Sequence, residues 1–267
     1  MILKVPTFKL KRGSSALIVS MPHVGTFLPD WLIPNLREEA LMLSDTDWHL
    51  DVLYDFLEAL DATVIIATHS RYVVDLNRPS NDANLYPGQN STGLCPTNSF
   101  SQKPLYLIGL EPGTVEVSCR ISDYWKPYHD ALTDELARVK LLHGKAMLWD
   151  AHSICSNVPV FFDGKLPNLN IGTADNQSCA ASLTQALELV LAKFPQYSYA
   201  VNGRFKGGYI TRHYGQPADQ IHAVQLEIAM RSYMQETTPC RINRKLSQAL
   251  RPVLLDLLKT MLSWEQD

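Results

Sequence analysis

The sequence lacks the long apolar runs and the basic runs that would direct a protein to a membrane or to nucleic acid. No apolar stretch approaches the roughly 20 residues of a membrane span. No Lys/Arg run is long enough to follow a phosphate backbone, and the formal net charge is −3. We therefore expect a small molecule as the partner, with no role for nucleic acid or a membrane.

Cysteine is scarce, and the chain does not start like a secreted protein. The five cysteines form no CxxC pair, so reduced thiols fit better than a disulfide framework or a thiolate zinc site. Residues 1–6 lack the charged segment, apolar core and cleavage site of a signal peptide. We expect a cytoplasmic protein, as a monomer or a small homo-oligomer.

Apolar runs alternate with amphipathic segments, which is typical of an α/β domain. The chain of 267 residues could form one such domain or two smaller ones, but it contains no internal repeat or linker. We therefore expect a single domain over residues 1–267. The predicted strands cover residues 16–20, 63–68, 146–153 and 221–228, and the predicted helices cover 47–60, 121–142, 178–194 and 246–264. Residues 80–113 read as a long irregular excursion of the kind used for binding loops.

Polar side chains follow several of these strands. The run 146–153 ends in an acid, a small residue, His152 and a hydroxyl, and the strand 16–20 is followed by His23. Ligands bind at this edge of an open α/β sheet, and a histidine there can hold a metal through one nitrogen. The alternative is a hydrogen-bonded turn residue in each case.

Acidic residues complete a possible metal site. Asp45 and Asp47 precede a predicted helix, where they act either as caps or as a carboxylate ligand. Glu227 lies in an apolar strand, where a carboxylate is costly unless it is paired or coordinated. Two imidazoles and one carboxylate, from His23, His152 and either Asp45 or Asp47, form a ligand set common in catalytic zinc sites. Glu227 would then be the general base.

Two further segments carry anion-binding chemistry. Arg71, Asn77 and Arg78 follow the second strand and offer donors suited to a carboxylate or an oxyanion. A structural ion pair between Arg78 and Asp75 is the competing interpretation. Residues 201–215 combine glycine, basic and aromatic residues, which indicates either an anion-binding loop or a tight hairpin with surface charges.

These motifs together resemble the N-formylglutamate amidohydrolase family over nearly the whole chain, and that family is similar to the zinc carboxypeptidase and aspartoacylase group. The residues that carry the resemblance are 22–25, 45–49, 70–79, 148–153, 202–209 and 225–228.

The resemblance implies a three-layer α/β/α sandwich around a mixed, largely parallel sheet. It also implies that His23 and His152 bind zinc, that Glu227 and Arg71 are catalytic, and that Asn77 and Arg78 bind a carboxylate. Arg204, Tyr209 and Arg212 are expected to join in substrate binding. The wider group usually has a His-x-x-Glu ligand pair, but Thr26 stands three residues after His23. The acidic ligand must come from elsewhere, and we expect Asp47 rather than Asp45 because Asp47 opens the predicted helix.

The resemblance further implies zinc-dependent hydrolysis of N-formyl-L-glutamate to formate and L-glutamate, the last step of a histidine degradation route. Two alternatives stay open. One is a metal-dependent hydrolase of another N-acyl- or γ-linked glutamate, and the other is a carboxylate-binding protein without catalysis.

Overall fold

A mixed seven-stranded sheet forms the centre of the computed structural model, which describes residues 5–85, 92–237 and 239–265. The strand order across the sheet is β1-β3-β2-β4-β7-β5-β6. The strands are β1 Phe8–Lys11, β2 Leu17–Met21, β3 Thr63–Ala67, β4 Ala146–Ile154, β5 Leu169–Gly172, β6 Tyr199–Val201 and β7 Ile221–Ala229. Strands β8 (Met234–Gln235) and β9 (Arg241–Ile242) form a separate antiparallel pair.

The four middle strands, β3, β2, β4 and β7, run parallel to one another, while β1 and β5 run antiparallel to their neighbours β3 and β7. Every residue of β4 is buried, as expected for a strand covered on both faces. Because the middle strands are parallel, their carboxyl ends meet at one edge. The four strands predicted from apolar runs correspond to these four.

Helices cover both faces of the sheet. On one face, Tyr128 of helix α3 (Lys126–His143) lies 3.0 Å from the Ser20 hydroxyl of β2. On the other face, Trp149 of β4 donates over 3.1 Å to Tyr54, just after helix α1 (Leu50–Leu53). The predicted three-layer α/β/α sandwich is therefore confirmed. The helices are α1 Leu50–Leu53, α2 Thr114–Arg120, α3 Lys126–His143, α4 Ala181–Ala192, α5 Tyr209–Tyr214 and α6 Arg244–Ser263.

The predicted helix over residues 47–60 is wrong in its start and its type. Helix α1 begins only at Leu50, and after Leu53 the chain continues as a 3₁₀ helix, Asp55–Leu60. His49 has a positive φ of 62°, which a helix cannot include. Asp47 lies in the loop before it, and its backbone N–H donates to the His23 carbonyl over 3.0 Å. Asp47 therefore does not open the helix.

The predicted helix over residues 121–142 extends further towards the N-terminus. Helix α2 begins at Thr114 and passes through a π-helical turn, Ile121–Trp125, into α3. Such turns re-aim side chains and are frequent near functional sites. Here the Trp125 indole donates to the Arg78 carbonyl over 2.8 Å. The π turn thus holds the segment that carries Arg78.

Other predictions from the sequence concern residues 201–215, the cysteines and residues 80–113. The interval 201–215 contains the short helix α5, so it is not a hairpin. The five cysteines are unpaired, as expected. Residues 80–113 hold no helix or strand in the parts that are described, and residues 86–91 lie outside those parts. Among the described residues, no helix is both long and apolar enough to cross a bilayer.

Candidate active site

A cavity opens at the carboxyl edge of the middle strands. His23 follows β2, Arg71 follows β3, and His152 and Glu227 lie near the ends of β4 and β7. His152 and Glu227 are direct neighbours in the register of β4 and β7, so both side chains project from the same face of the sheet. The sheet topology therefore brings together residues that are far apart in the sequence.

His23, Asp47 and His152 form a buried cluster in this cavity. Their nearest possible ligand atoms all lie within 4.8 Å of one another. Asp47 Oδ2 lies 3.1 Å from His152 Nδ1 and 3.8 Å from His23 Nδ1, so both imidazoles present Nδ1 to the same carboxylate. Asp47, rather than Asp45, is thus the acid that the structure places between the two histidines.

A second carboxylate holds the far side of each imidazole. His23 Nε2 lies 2.7 Å from Asp75 Oδ1, and His152 Nε2 lies 3.0 Å from Asp150 Oδ2. Metal-binding histidines usually donate their second nitrogen to such a carboxylate, which fixes the ring and its tautomer. The geometry leaves Nδ1 of each ring available to a metal ion.

Three observations show that these residues fit a divalent metal. His23 Nδ1 is buried and has no hydrogen-bond partner among residues 5–85, 92–237 and 239–265, an arrangement that a ligand would satisfy. Two imidazoles and one carboxylate also match the donor set of catalytic zinc sites. Finally, Asp45, Asp47 and Asp75 are buried and all three interact with the Arg71 guanidinium, so the acids around this guanidinium outnumber it.

The electrostatics of the two histidines differ. Burial lowers the pKa of His23, and the charge of Arg71 adds to this effect. Burial alone would also lower the pKa of His152, but the charge of Asp150 and the hydrogen bonds that His152 donates to Asp150 and Asp47 raise it well above its usual range. With no metal ion bound, a protonated His152 therefore offsets part of the negative charge of the surrounding carboxylates.

Glu227 lies beside the cluster with its carboxyl group facing the cavity. Burial raises its pKa, and the nearby charge of Asp47 adds to the rise while that of His152 opposes it. A raised pKa suits a group that must both accept and return a proton near neutral pH. Its placement next to His152 is the arrangement expected for a general base.

Asp75 was considered from the sequence as an ion-pair partner of Arg78, the alternative to a substrate-binding role for that arginine. Its Oδ2 accepts from Arg71 over 2.5 Å, so the ion pair forms with Arg71 and not with Arg78. Burial alone would raise the pKa of Asp75, but Arg71 and His23 hold it well below its usual range. Asp75 therefore couples the Arg71 guanidinium to the His23 imidazole.

Within the described part of the chain, three arginines line the cavity. The Arg71 guanidinium faces a Phe100 ring at 4.6 Å, and Arg78 lies 3.5 Å from the Thr92 hydroxyl. Arg204 donates to the Phe161 carbonyl over 2.5 Å and lies over the Phe161 and Phe205 rings. The site therefore offers several cationic groups to a substrate with more than one carboxylate.

Asn77 lines the cavity but also holds protein groups. Its Oδ1 accepts from Ile210 at the start of α5 over 2.8 Å, and its Nδ2 lies 3.4 Å from Asp150 Oδ2. A Cβ on Gly208 would lie 2.3 Å from Asn77 Nδ2, so only glycine permits this close approach. Asn77 thereby fixes α5 beside the metal cluster.

Two residues that were expected at the substrate lie outside the cavity lining. Tyr209 stacks on His213 at 4.8 Å, and the Arg212 Nε donates to the Gly207 carbonyl over 2.8 Å. The lining instead includes residues that the sequence interpretation did not assign to the site, notably Phe100, Phe161 and Gln225. Gln225 lies two residues before Glu227 on the same face of β7, a spacing that was visible in the sequence.

His129 on α3 is a packed residue. Its Nε2 lies 2.9 Å from the Leu76 carbonyl and its Nδ1 lies 2.9 Å from the Tyr214 hydroxyl. A carbonyl only accepts, so Nε2 carries the proton and Nδ1 accepts from Tyr214. Burial lowers the pKa of His129 to about 3.

Acid should therefore destabilise the protein through His129. Between pH 6.5 and about pH 3 the unfolded chain binds a proton that the folded His129 does not, so stability falls as pH falls, by about 1.4 kcal/mol per pH unit. In urea unfolding at pH 7 and pH 5, His129→Gln should show a loss about 2 kcal/mol smaller than the unmodified protein. His143→Gln, at the exposed end of α3, is the control and should leave the loss unchanged. An equal loss in His129→Gln would contradict this prediction.

The comparisons with known proteins agree with one another. The family model for N-formylglutamate amidohydrolase matches residues 15–234. The chain is 49% identical over 257 residues to an N-formylglutamate deformylase of Pseudomonas aeruginosa, covering 96% of each chain. It is 48% identical over 253 residues to the enzyme of the same name from Pseudomonas putida, covering 95% of this chain and 94% of that one.

Solved structures of other proteins are similar to this chain over nearly its whole length. A crystal structure of an N-formylglutamate amidohydrolase from Ralstonia eutropha superimposes with a TM-score of 0.82 at 25% identity, covering 96% of this chain and 97% of that one. A gene product from Agrobacterium tumefaciens, at 19% identity and a TM-score of 0.73, shares the fold.

The fold and the site together define a class. A three-layer α/β/α sandwich places a buried His/Asp/His cluster and an adjacent glutamate at the carboxyl edge of its sheet, and these residue types match those of zinc hydrolase sites. Within that class, the chain belongs to the N-formylglutamate amidohydrolase family.

Proposed function

We propose that this chain hydrolyses N-formyl-L-glutamate to formate and L-glutamate with one zinc ion held by His23, Asp47 and His152. The observation that carries the proposal is the full-length identity of 49% to a deformylase of that specificity, together with the cluster beside Glu227. The whole of residues 1–267 would act as one cytoplasmic domain in the last step of a histidine degradation route. Zinc at this site would act as a Lewis acid that polarises the formyl carbonyl and acidifies water.

Glu227 moves the protons of this reaction. Its carboxylate takes a proton from the attacking water, and the water oxygen forms a bond to the formyl carbon. The protonated Glu227 then returns that proton to the amide nitrogen as the C–N bond breaks, and glutamate leaves as the amine. Burial favours this exchange because it raises the pKa of Glu227.

Arg71 stabilises the charge that develops on the formyl oxygen. Its guanidinium is fixed by Asp75 Oδ2 at 2.5 Å and therefore needs little reorganisation during the reaction. Donors of this kind are worth about 100- to 1000-fold in rate.

The remaining cationic and polar groups hold the two carboxylates of the substrate. Arg78 and Arg204 line the cavity and can bind carboxylates through paired N–H groups. Asn77 adds an amide beside Arg78.

Arg78→Ala should raise KM for N-formyl-L-glutamate strongly, by about tenfold to a hundredfold, with a smaller change in kcat. The physical reason is the loss of a charge-assisted hydrogen bond that is present before and during the reaction. Steady-state kinetics measure it, and Arg37→Ala, on a loop outside the cavity lining, is the control. An unchanged KM would remove Arg78 from substrate binding.

Formate release from N-formyl-L-glutamate tests the proposed function directly. Zinc-loaded and chelator-treated protein should be compared, with N-acetyl-L-glutamate and a γ-linked glutamate beside the formyl substrate. Chelator-sensitive release confined to the formyl compound would support the proposal. Release only from another substrate would favour a different acyl specificity, and absence of all release from folded protein would favour a carboxylate-binding role.

A further inference from the structure

Phe100 covers the Arg71 end of the cavity. Its ring centre lies 4.6 Å from the Arg71 Cζ, and both residues line the cavity. The ring also packs edge-on against Phe161 at 5.1 Å between ring centres. Phe100 is therefore held between the guanidinium and a second aromatic ring.

The loop that carries Phe100 is closed by its own backbone. The Ser99 N–H donates to the Lys103 carbonyl over 2.9 Å, and the Leu105 N–H donates to the Thr97 carbonyl over 2.8 Å. Both bonds join the segment before Phe100 to the segment after it. The position of Phe100 is thus defined by more than its own packing.

Asp45 connects this loop to the site. Its Oδ2 accepts from the Phe100 backbone N–H over 2.8 Å, and its side chain is 5% exposed. Asp45 lies close enough to Arg71 for the two charges to interact, although it is outside the His/Asp/His cluster. Asp45 Oδ1 also accepts from the Ser44 hydroxyl over 3.2 Å, so the Phe100 N–H is its partner in this loop and Ser44 its partner outside it.

We propose that Phe100 limits the size of the acyl group that the enzyme accepts, and that Asp45 is the positioning residue that seats Phe100 against Arg71. This inference rests on the proposed function. Arg71 holds the acyl oxygen in that function, so whatever else the acyl carbon carries lies close to the ring that covers Arg71. A formyl group carries only a hydrogen there, whereas an acetyl group carries a methyl.

The size limit follows from packing. Arg71 and Phe161 lie against the Phe100 ring, and the Asp45 bond holds the Phe100 backbone, so moving the ring aside for a methyl group would cost these contacts. One additional methylene in a closed pocket changes selectivity by about 10- to 200-fold. Phe100 and Asp45 therefore set a preference for formyl over acetyl substrates.

The test is the ratio of kcat/KM for N-formyl-L-glutamate to that for N-acetyl-L-glutamate. Phe100→Ala should lower this ratio at least tenfold, mainly through a gain on the acetyl substrate. Phe100→Leu, which fills more of the space, should lower it less. A variant that is merely less stable loses both activities together and leaves the ratio unchanged.

Asp45 is tested by a pair of variants. Asp45→Ala should lower the ratio in the direction of Phe100→Ala, whereas Asp45→Asn keeps an oxygen that accepts from the Phe100 N–H and should keep the ratio. Phe162→Ala is the matched control, because Phe162 packs against the same apolar cluster, around Ile154 and Val158, as Phe100 does but lies outside the cavity lining.

The outcomes separate the two proposals. A wild-type protein that releases formate, together with a Phe100→Ala ratio equal to that of wild type, would overturn this inference and leave the proposed function in place. A folded, zinc-loaded wild-type protein that hydrolyses neither substrate would overturn both.

Discussion

Replacing Glu227 by glutamine should lower kcat for N-formyl-L-glutamate about a thousandfold while zinc still binds. Glutamine has nearly the same shape, but it can neither accept the proton of the attacking water nor return it to the amine, and such proton transfers are worth about 10²–10⁴-fold. Glu227 is also outside the His/Asp/His cluster, so the ligand set is intact in the variant. Formate release and zinc content, measured on the same sample, check both parts.

Two further variants sharpen this test. Glu227→Asp keeps a carboxylate on a shorter arm and should retain more activity than Glu227→Gln. Glu188→Gln, on the exposed face of α4, makes the same chemical change away from the cavity and should match wild type. Substantial activity in Glu227→Gln would mean that another group moves the protons.

The sequence predicted the middle of the sheet well. The parallel strands β2, β3, β4 and β7 are buried on both faces, so they read as nearly continuous apolar runs. Short strands at the edges were not predicted, because four or fewer residues carry little periodic signal. β1 is an example, since its four residues alternate only between half-buried and exposed positions.

The helix errors have a physical cause as well. The apolar spacing after Asp47 is helical, but His49 adopts a positive φ and the chain then tightens into 3₁₀ geometry. These choices depend on contacts from distant segments, such as the 3.2 Å approach of His49 Nε2 to the Cys240 carbonyl. Local propensity does not contain that information.

The candidate site, like the fold, was only partly predictable from the sequence. Polar residues at strand ends were identifiable because the carboxyl edge of a parallel sheet collects them, and His23, Asp47, Arg71, His152 and Glu227 do line one cavity. The roles of Asp75 and Asp150, which contact Nε2 of the two histidines, were harder to predict. An acid that lies near an arginine in the sequence has several possible partners. Phe100 gave no signal at all, because it reaches the cavity through a bond to Asp45, which is 55 positions away.

Removing the metal should abolish formate release and also lower the thermal stability of the protein. Without a cation, Asp47, Asp75 and Asp150 are buried with too few positive partners, and a ligand that binds only the folded state stabilises it by about 4 kcal/mol at 1,000 times its Kd. Thermal unfolding of chelator-treated protein, with and without added zinc, measures the effect independently of activity. Added zinc should raise the midpoint of thermal unfolding of the chelator-treated wild-type protein. It should not raise that of chelator-treated His23→Ala, which lacks one ligand. His213→Ala, which removes an exposed imidazole outside the cluster, should respond like wild type, and a zinc response retained by His23→Ala would place the metal elsewhere.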